Sequence, residues 1–234
     1  MSKRRKILIT GATDGIGLAL AKRLASRHDL ILTGRRATHP DLPEGALYVQ
    51  ADQTYPVECA QIILAAVQNA GWQSLDNAVL NAGTGFAAPS DIDTADNIRQ
   101  TLAVNLSANI AATHALFPLL EKAYGTLSLV GSVAHKGSPL FPAYAASKAG
   151  LDAFARALRS EWQGRVIVQM LHPGPTQTGM HAKAGYDPGQ MRRIFIKLDL
   201  MAEMLERAIA GQKSPVTLSF MRRSSFTHWN GRPL

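Results

Sequence analysis

Short apolar runs recur along this chain, and a stretch with helical spacing follows most of them. Residues 6–10, 30–33, 47–50, 77–80, 126–130 and 166–171 read as buried strands. Residues 18–26, 57–70, 92–104, 106–120 and 143–161 read as the intervening helices. Strands alternating with helices call for a mostly parallel sheet covered on both faces, and right-handed crossovers make it doubly wound. In such sheets ligands bind beyond the carboxyl ends of the strands. Every motif singled out below follows a strand or lies on the next helix.

Toward the carboxyl end, Met191, Ile194, Phe195 and Leu198 repeat at helical spacing, as do Met201, Met204, Leu205 and Ala208. They predict two further amphipathic helices, with a last strand at 216–220. No linker or internal repeat divides the chain, so one domain is expected over residues 1–234. The net charge of +8 raises the question of an anionic partner. Much of it sits in Lys3-Arg4-Arg5-Lys6 and Arg222-Arg223, without any nucleic-acid motif, so solvated ends are expected rather than nucleic-acid binding. Cys59 is the only cysteine, which removes an internal disulfide and a cysteine metal cluster; no metal is expected. The run Ile7-Leu8-Ile9 is too short for a signal peptide, and no apolar stretch reads as membrane-spanning. A cytoplasmic location without membrane contact is expected.

The turn after the first strand is Thr10-Gly11-Ala12-Thr13-Asp14-Gly15-Ile16-Gly17. Glycines at this place allow a tight turn and close approach of the backbone to a pyrophosphate, beside the free N–H groups of a helix start. The spacing is G-x-x-x-G-x-G, not the commoner dinucleotide fingerprint, and alone it also fits a structural turn. Asp14 adds a negative charge to this loop. After the second strand come Gly34-Arg35-Arg36, with no carboxylate before Asp41. A carboxylate there would serve the ribose of NAD; Arg35 suits a 2′-phosphate, although two exposed arginines on a turn also fit. Asp52 is a candidate for the adenine amino group or a turn cap. Asn81-Ala82-Gly83 places small residues where a cofactor must come close.

Tyr144 and Lys148 stand four apart on a predicted helix, hence on one face. A free phenol is a weak acid–base catalyst at neutrality, and a nearby ammonium is expected to lower its pKa. Ser132, after the fifth strand, is placed to hold a substrate oxygen beside the phenol. Asn105 is a polar residue in an apolar helical run, read either as a helix-kink residue or as the holder of a water near Lys148.

Together, Thr10-Gly11-x-x-x-Gly15-Ile16-Gly17, Asn81-Ala82-Gly83, Asn105, Ser132, Tyr144-x-x-x-Lys148 and Pro173-Gly174-x-x-x-Thr178 resemble the short-chain dehydrogenase/reductase family in order and spacing. The resemblance runs from about residue 6 to 178 and implies a Rossmann-type fold with an NADP(H) cofactor. It implies Tyr144 as general acid/base, Lys148 as ribose ligand and pKa modulator, Ser132 as orienter of the substrate oxygen, and Asn105 as support for a relay water. Gly11, Gly15, Ile16 and Gly17, with Thr10 and Thr13 in the same turn, would line the pyrophosphate. Asn81, with Ala82 and Gly83, would meet the adenosine side, and Pro173, Gly174 and Thr178 the nicotinamide end. Arg35 matches the basic position of NADP-preferring members.

Leu80 replaces a frequent asparagine, and the end, Ser219-Phe220-Met221-Arg222-Arg223, lacks the glycine-rich strand and tail common in tetrameric members. A monomer or homodimer is left open. Residues 178–200 would form a substrate lid carrying Met180, Tyr186, Met191, Ile194 and Phe195, near Phe86, Leu140 and Phe141. The expected partner is a small carbonyl or alcohol, apolar if the lid lines its pocket. His135 reads as a surface loop residue or a substrate contact. A non-catalytic NADP(H)-binding redox sensor is the alternative.

Overall fold

The computed structural model describes residues 4–219. Seven strands form one sheet: β1 (Lys6–Thr10), β2 (Asp29–Gly34), β3 (Leu47–Gln50), β4 (Asn77–Leu80), β5 (Thr126–Val130), β6 (Ile167–Pro173) and β7 (Val216–Leu218). Their order is β3-β2-β1-β4-β5-β6-β7, and every neighbouring pair is parallel. The order reverses between β1 and β4, which is where a doubly wound sheet opens its ligand crevice.

The helices between them are α1 (Gly15–Leu24), α2 (Pro56–Asn69), α3 (Ala95–Leu102), α4 (Ala108–Ala123), α5 (Pro142–Glu161), α6 (Met180–Lys183) and α7 (Leu198–Gly211). One face of the sheet is covered by α2, α4 and α5, whose Ile63, Val67, Ala112, Leu116, Leu151 and Leu158 meet Leu8, Leu127 and Met170. The other face is covered by α1 and α7, where Leu20, Leu24, Met201 and Leu205 meet Ile9, Leu32 and Leu171. Successive strand residues enter opposite cores, which is why the strands read as continuous hydrophobic runs. Each fully buried leucine or isoleucine contributes about 1.5–3 kcal/mol relative to exposure.

Three expectations are corrected. The predicted helices at 92–104 and 106–120 are one continuous helical stretch, Ala95–Ala123, with a π-turn at Ala103–Ser107 between α3 and α4. There the Ala108 N–H bonds to the Ala103 carbonyl, five residues back. This 29-residue stretch, with an 18-residue window of mean hydropathy 1.2, is long and apolar enough to cross a membrane by those measures. Ala112, Leu116, Leu119 and Leu120 are instead buried in the core beside α2. Finally, residues 191–198 do not form an amphipathic helix. Gly189–Ile194 is a 3-10 turn that leaves Met191 and Ile194 exposed, and Ile196 is the residue that packs. The predicted strand at 216–220 ends at Leu218, and Phe220 and the 221–234 tail lie outside the described residues.

Candidate active site

The turn after β1 is fastened to the end of β4. Thr10 Oγ1 accepts from the N–H groups of Asn81 and Ala82 at 3.0 and 3.1 Å, and Asn81 Nδ2 donates back to the Thr10 and Gly11 carbonyls at 3.0 and 3.3 Å. The Asn81 amide is thus engaged in shaping the loop. Gly11 adopts φ +64°, and a Cβ on it would lie 2.7 Å from Ala82 Cα. A Cβ on Gly17 would lie 2.3 Å from the Gly11 carbonyl oxygen. The first bond of α1 runs from the Leu18 N–H to Asp14 O, so Ile16 and Gly17 keep N–H groups with no carbonyl a turn back.

Asp14 caps this helix by accepting from the Gly15 N–H at 2.6 Å, and its other oxygen meets Lys183 of α6. The Lys183 hydrogen bond holds the carboxyl below its ordinary range, and an ion pair offsets the charge that the sequence placed in the loop. Thr13 lies against the end of β2, where a Cβ on Gly34 would come within 2.6 Å of its methyl. The exposed Arg35 and Arg36 follow, their backbone carbonyls held by Gln50 and Tyr48 of β3. Neither guanidinium is in an ion pair among the described residues. Asp52 Oδ1 accepts from the Thr54 N–H and hydroxyl, both at 2.9 Å, which is the turn-capping role. On the other side of the crevice, Pro173 ends β6 and the Gly174 N–H donates to Leu218 O at 2.8 Å. Thr178 then reaches α1, its methyl 3.6 Å from a Cβ placed on Gly15.

The polar residues of the chemical end converge beyond β4 and β5. The π-turn swings Asn105 inward, fully buried, where its amide donates to Thr84 O at 2.7 Å and Ser147 Oγ at 3.0 Å and its Oδ1 accepts from the Thr84 N–H at 2.8 Å. Of the two readings open from sequence, these bonds favour the kink residue. Lys148, also buried, donates to Val130 O at 2.9 Å and lies 5.8 Å from the centre of the Tyr144 ring. Gly83 leaves a gap above both: a Cβ there would be 3.3 Å from Asn105 Oδ1 and 3.5 Å from Lys148 Nζ. Ser132 accepts from the Ala134 N–H through Oγ at 3.1 Å, and its hydroxyl is hydrogen-bonded to the Tyr144 phenol.

The electrostatics differ from expectation. Burial pushes the Tyr144 phenol above its ordinary value, with the Ser132 hydrogen bond opposing it. Lys148 does not reverse this, because its ammonium is turned toward Val130 O. Burial also lowers Lys148 to about 8. Cys59, in the core, is raised by burial to about 11.

Of the expected lid residues, Tyr186 packs edge-on against Phe141 at 5.7 Å, and Phe141 against Tyr144 at 6.4 Å. His181, not singled out from sequence, joins Tyr186 at 6.1 Å and Phe195 at 4.9 Å. His135 is not an exposed loop residue; it is half-buried and stacked on His172. Sequence reading also missed Ser147, whose Oγ joins Asn105 to the Tyr144 carbonyl, and Lys183. Ser147 was visible inside the Tyr144–Lys148 pentapeptide; nothing local marks Lys183.

The glycine cradle accepts a dinucleotide on three counts: its carbon-free faces, the helix N–H groups and the gap over Lys148. The fold and this cluster define a Rossmann-type oxidoreductase. A short chain dehydrogenase family model matches residues 5–188, and the chain belongs to that short-chain dehydrogenase/reductase family. The oxidoreductase YciK of Escherichia coli is 33% identical over 195 residues, covering 77% of each chain. A short chain dehydrogenase from Burkholderia cenocepacia, solved in complex with NADP, is 28% identical with a TM-score of 0.80, covering 92% of this chain and 96% of that one. Another, from Shigella flexneri and complexed with NADP, is 26% identical with a TM-score of 0.81 and the same coverages.

Proposed function

We propose that the protein is an NADP(H)-dependent carbonyl reductase, or the reverse alcohol dehydrogenase, acting on an apolar substrate. The convergence of Ser132, Tyr144, Lys148 and Asn105 beside the glycine loop carries this reading. The residues that would hold the cofactor are Gly11, Gly15, Ile16 and Gly17 at the pyrophosphate, Thr10 and Thr13 in their turn, and Arg35 at a 2′-phosphate. Asp52, Asn81, Ala82 and Gly83 would line its adenosine side, Lys148 its ribose, and Pro173, Gly174 and Thr178 its nicotinamide end. When bound, the nicotinamide supplies or accepts the hydride.

Ser132, with its oxygen already accepting from Ala134, donates its hydroxyl proton toward the substrate oxygen and so fixes it beside Tyr144. Tyr144 gives its proton to that oxygen in reduction. A phenol held protonated by burial is the form this step needs. Lys148, still mostly a cation at pH 7 with a value of about 8, would hold the cofactor's ribose beside the phenol. Asn105 and Ser147 fix the turn of α5 that carries Tyr144. The Phe141–Tyr186 wall next to the phenol supports an apolar carbonyl, by shape and by exclusion of water. The two NADP-bound relatives and the unpaired Arg35 guanidinium support the phosphate-bearing cofactor. With all four polar residues in place, nothing favours a sensor without chemistry.

Two measurements test this. NADPH should bind much more tightly than NADH by fluorescence titration, and Arg35→Ser should narrow the gap; equal affinities in the parent protein would refute the Arg35 argument. Tyr144→Phe should lower turnover by about 100-fold or more while leaving NADPH affinity within a few-fold, and retained turnover would remove the proposed acid.

A further inference from the structure

Behind Ser132 lies a buried polar cluster that the chemistry above does not use. His172 stands on the β6 face that also carries Val168 and Met170 and is 2% exposed; Asp152, on α5, is 7% exposed. His172 Nε2 lies 3.2 Å from Asp152 Oδ1, and Nδ1 lies 3.1 Å from the Ser132 carbonyl oxygen. Asp152 Oδ2 accepts from Arg156. The ring fits because residue 131 is glycine: a Cβ there would be 2.7 Å from Nδ1. His135 stacks on the ring at 4.0 Å, points its own Nδ1 at the Ser132 carbonyl from 2.7 Å, and lines a shallow cavity of about 510 Å³.

Both nitrogens of His172 therefore face acceptors, whereas a neutral imidazole has a single N–H. Were that proton directed to Asp152 alone, a bare Nδ1 would confront a carbonyl oxygen in the core, an arrangement costly to bury. One further proton on the line between Nε2 and Oδ1 satisfies both contacts. We propose that His172 and Asp152 share that proton and act as a positioning pair, with Nδ1–H anchoring the Ser132 carbonyl so that the Ser132 hydroxyl stays on Tyr144. Burial and His135 push the imidazole below its ordinary value, while Asp152 and the Ser132 carbonyl oppose them. The other charged groups nearby are turned elsewhere: Arg156 is on the far oxygen of Asp152, and Lys148, one turn earlier on α5, is on Val130 O. Gly131, just after β5, and Thr217 of β7 flank the ring.

The role of the pair rests on the oxidoreductase reading, but the proton can be tested without activity. In the full-length protein with 15N-labelled histidine, long-range 1H–15N spectra at pH 7 should show His172 Nδ1 protonated. An Nε2–H tautomer with bare Nδ1 overturns the proposal. Turnover is then followed with NADPH and 4-nitrobenzaldehyde or 9,10-phenanthrenequinone. His172→Phe should lower kcat by roughly ten- to a hundredfold, the scale of a small misplacement in an active site, with KM and NADPH affinity little changed. His172→Asn, whose amide stands where Nδ1–H stands, should recover most of the loss. A Phe variant with parental kcat, or a folded Asn variant as slow as Phe, overturns the positioning role. If Phe fails to fold by circular dichroism, the parental spectrum and the Asn variant still decide. A parental protein that neither binds NADPH nor turns over either carbonyl refutes the oxidoreductase reading instead, while the spectrum still reports the proton.

Discussion

Lys148 is a cation held against its own solvation, and the cost is measurable. It is 2% exposed and its pKa falls from 10.5 to about 8, with burial as the cause. At about 1.4 kcal/mol per tenfold, this is about 3 kcal/mol of lost stability at pH 7, a large part of the roughly 5–15 kcal/mol of a typical domain. Because the folded-state value is depressed for a base, the unfolded chain binds more protons between about 8 and 10.5, so the penalty is full below that window and disappears above it. Lys148→Met removes the cation with similar volume. Urea unfolding of both proteins without cofactor, from pH 7 to pH 10, should show the variant more stable at pH 7 by about 2–3 kcal/mol. That advantage should shrink by most of its size by pH 10. Tyr144 and the surface groups titrate in both proteins and cancel in the difference. A stability difference that does not change with pH would show that Lys148 is not desolvated as its burial implies. The variant should also lack turnover, which would make the stability of this position a quantity given up for function.

Three other outcomes follow from the geometry. Gly17→Ala places a Cβ 2.3 Å from the Gly11 carbonyl oxygen, so the loop must shift; NADPH affinity should fall at least about tenfold by fluorescence titration, and unchanged affinity would show that the loop does not contact the cofactor. Lys183→Ala unmasks the Asp14 charge in the same loop and should weaken NADPH several-fold at low salt, with Asp14→Asn restoring it in the double variant; additive losses would refute the compensation. The Cys59 thiol, buried and raised to about 11, should remain unmodified by a thiol-specific disulfide reagent at pH 8 until urea unfolds the protein, and rapid labelling of the native protein would contradict its burial.

The central strands were legible because they are buried on both faces, so hydrophobic continuity alone marked them; the expected ranges of β1, β4 and β5 coincide with the observed ones, as does that of the more exposed edge strand β3. The site was legible where chemistry lies close in sequence, as in the glycine turn or the four-residue step from Tyr144 to Lys148. It was not legible where it depends on how elements meet. A π-turn has no sequence period of its own, and Asn105 in an apolar run looked like a break between two helices because only the tertiary partners Thr84 and Ser147 explain its inward turn. The period at Met191 and Ile194 misled for the opposite reason: the spacing is helical, but both are left exposed while Ile196, off that spacing, packs, and Pro188 and Gly189 lead into a 3-10 turn. The partnerships that tune the site span long stretches of chain: Lys183 meets Asp14 across 169 residues and His172 meets Ser132 across 40. In each, one member is conspicuous in the sequence and the other is an ordinary residue on another element. The ordinary member takes its function from the strand order, since bringing β6 beside β5 sets His172 under the Ser132 turn, and the return from β6 carries α6 to the start of α1.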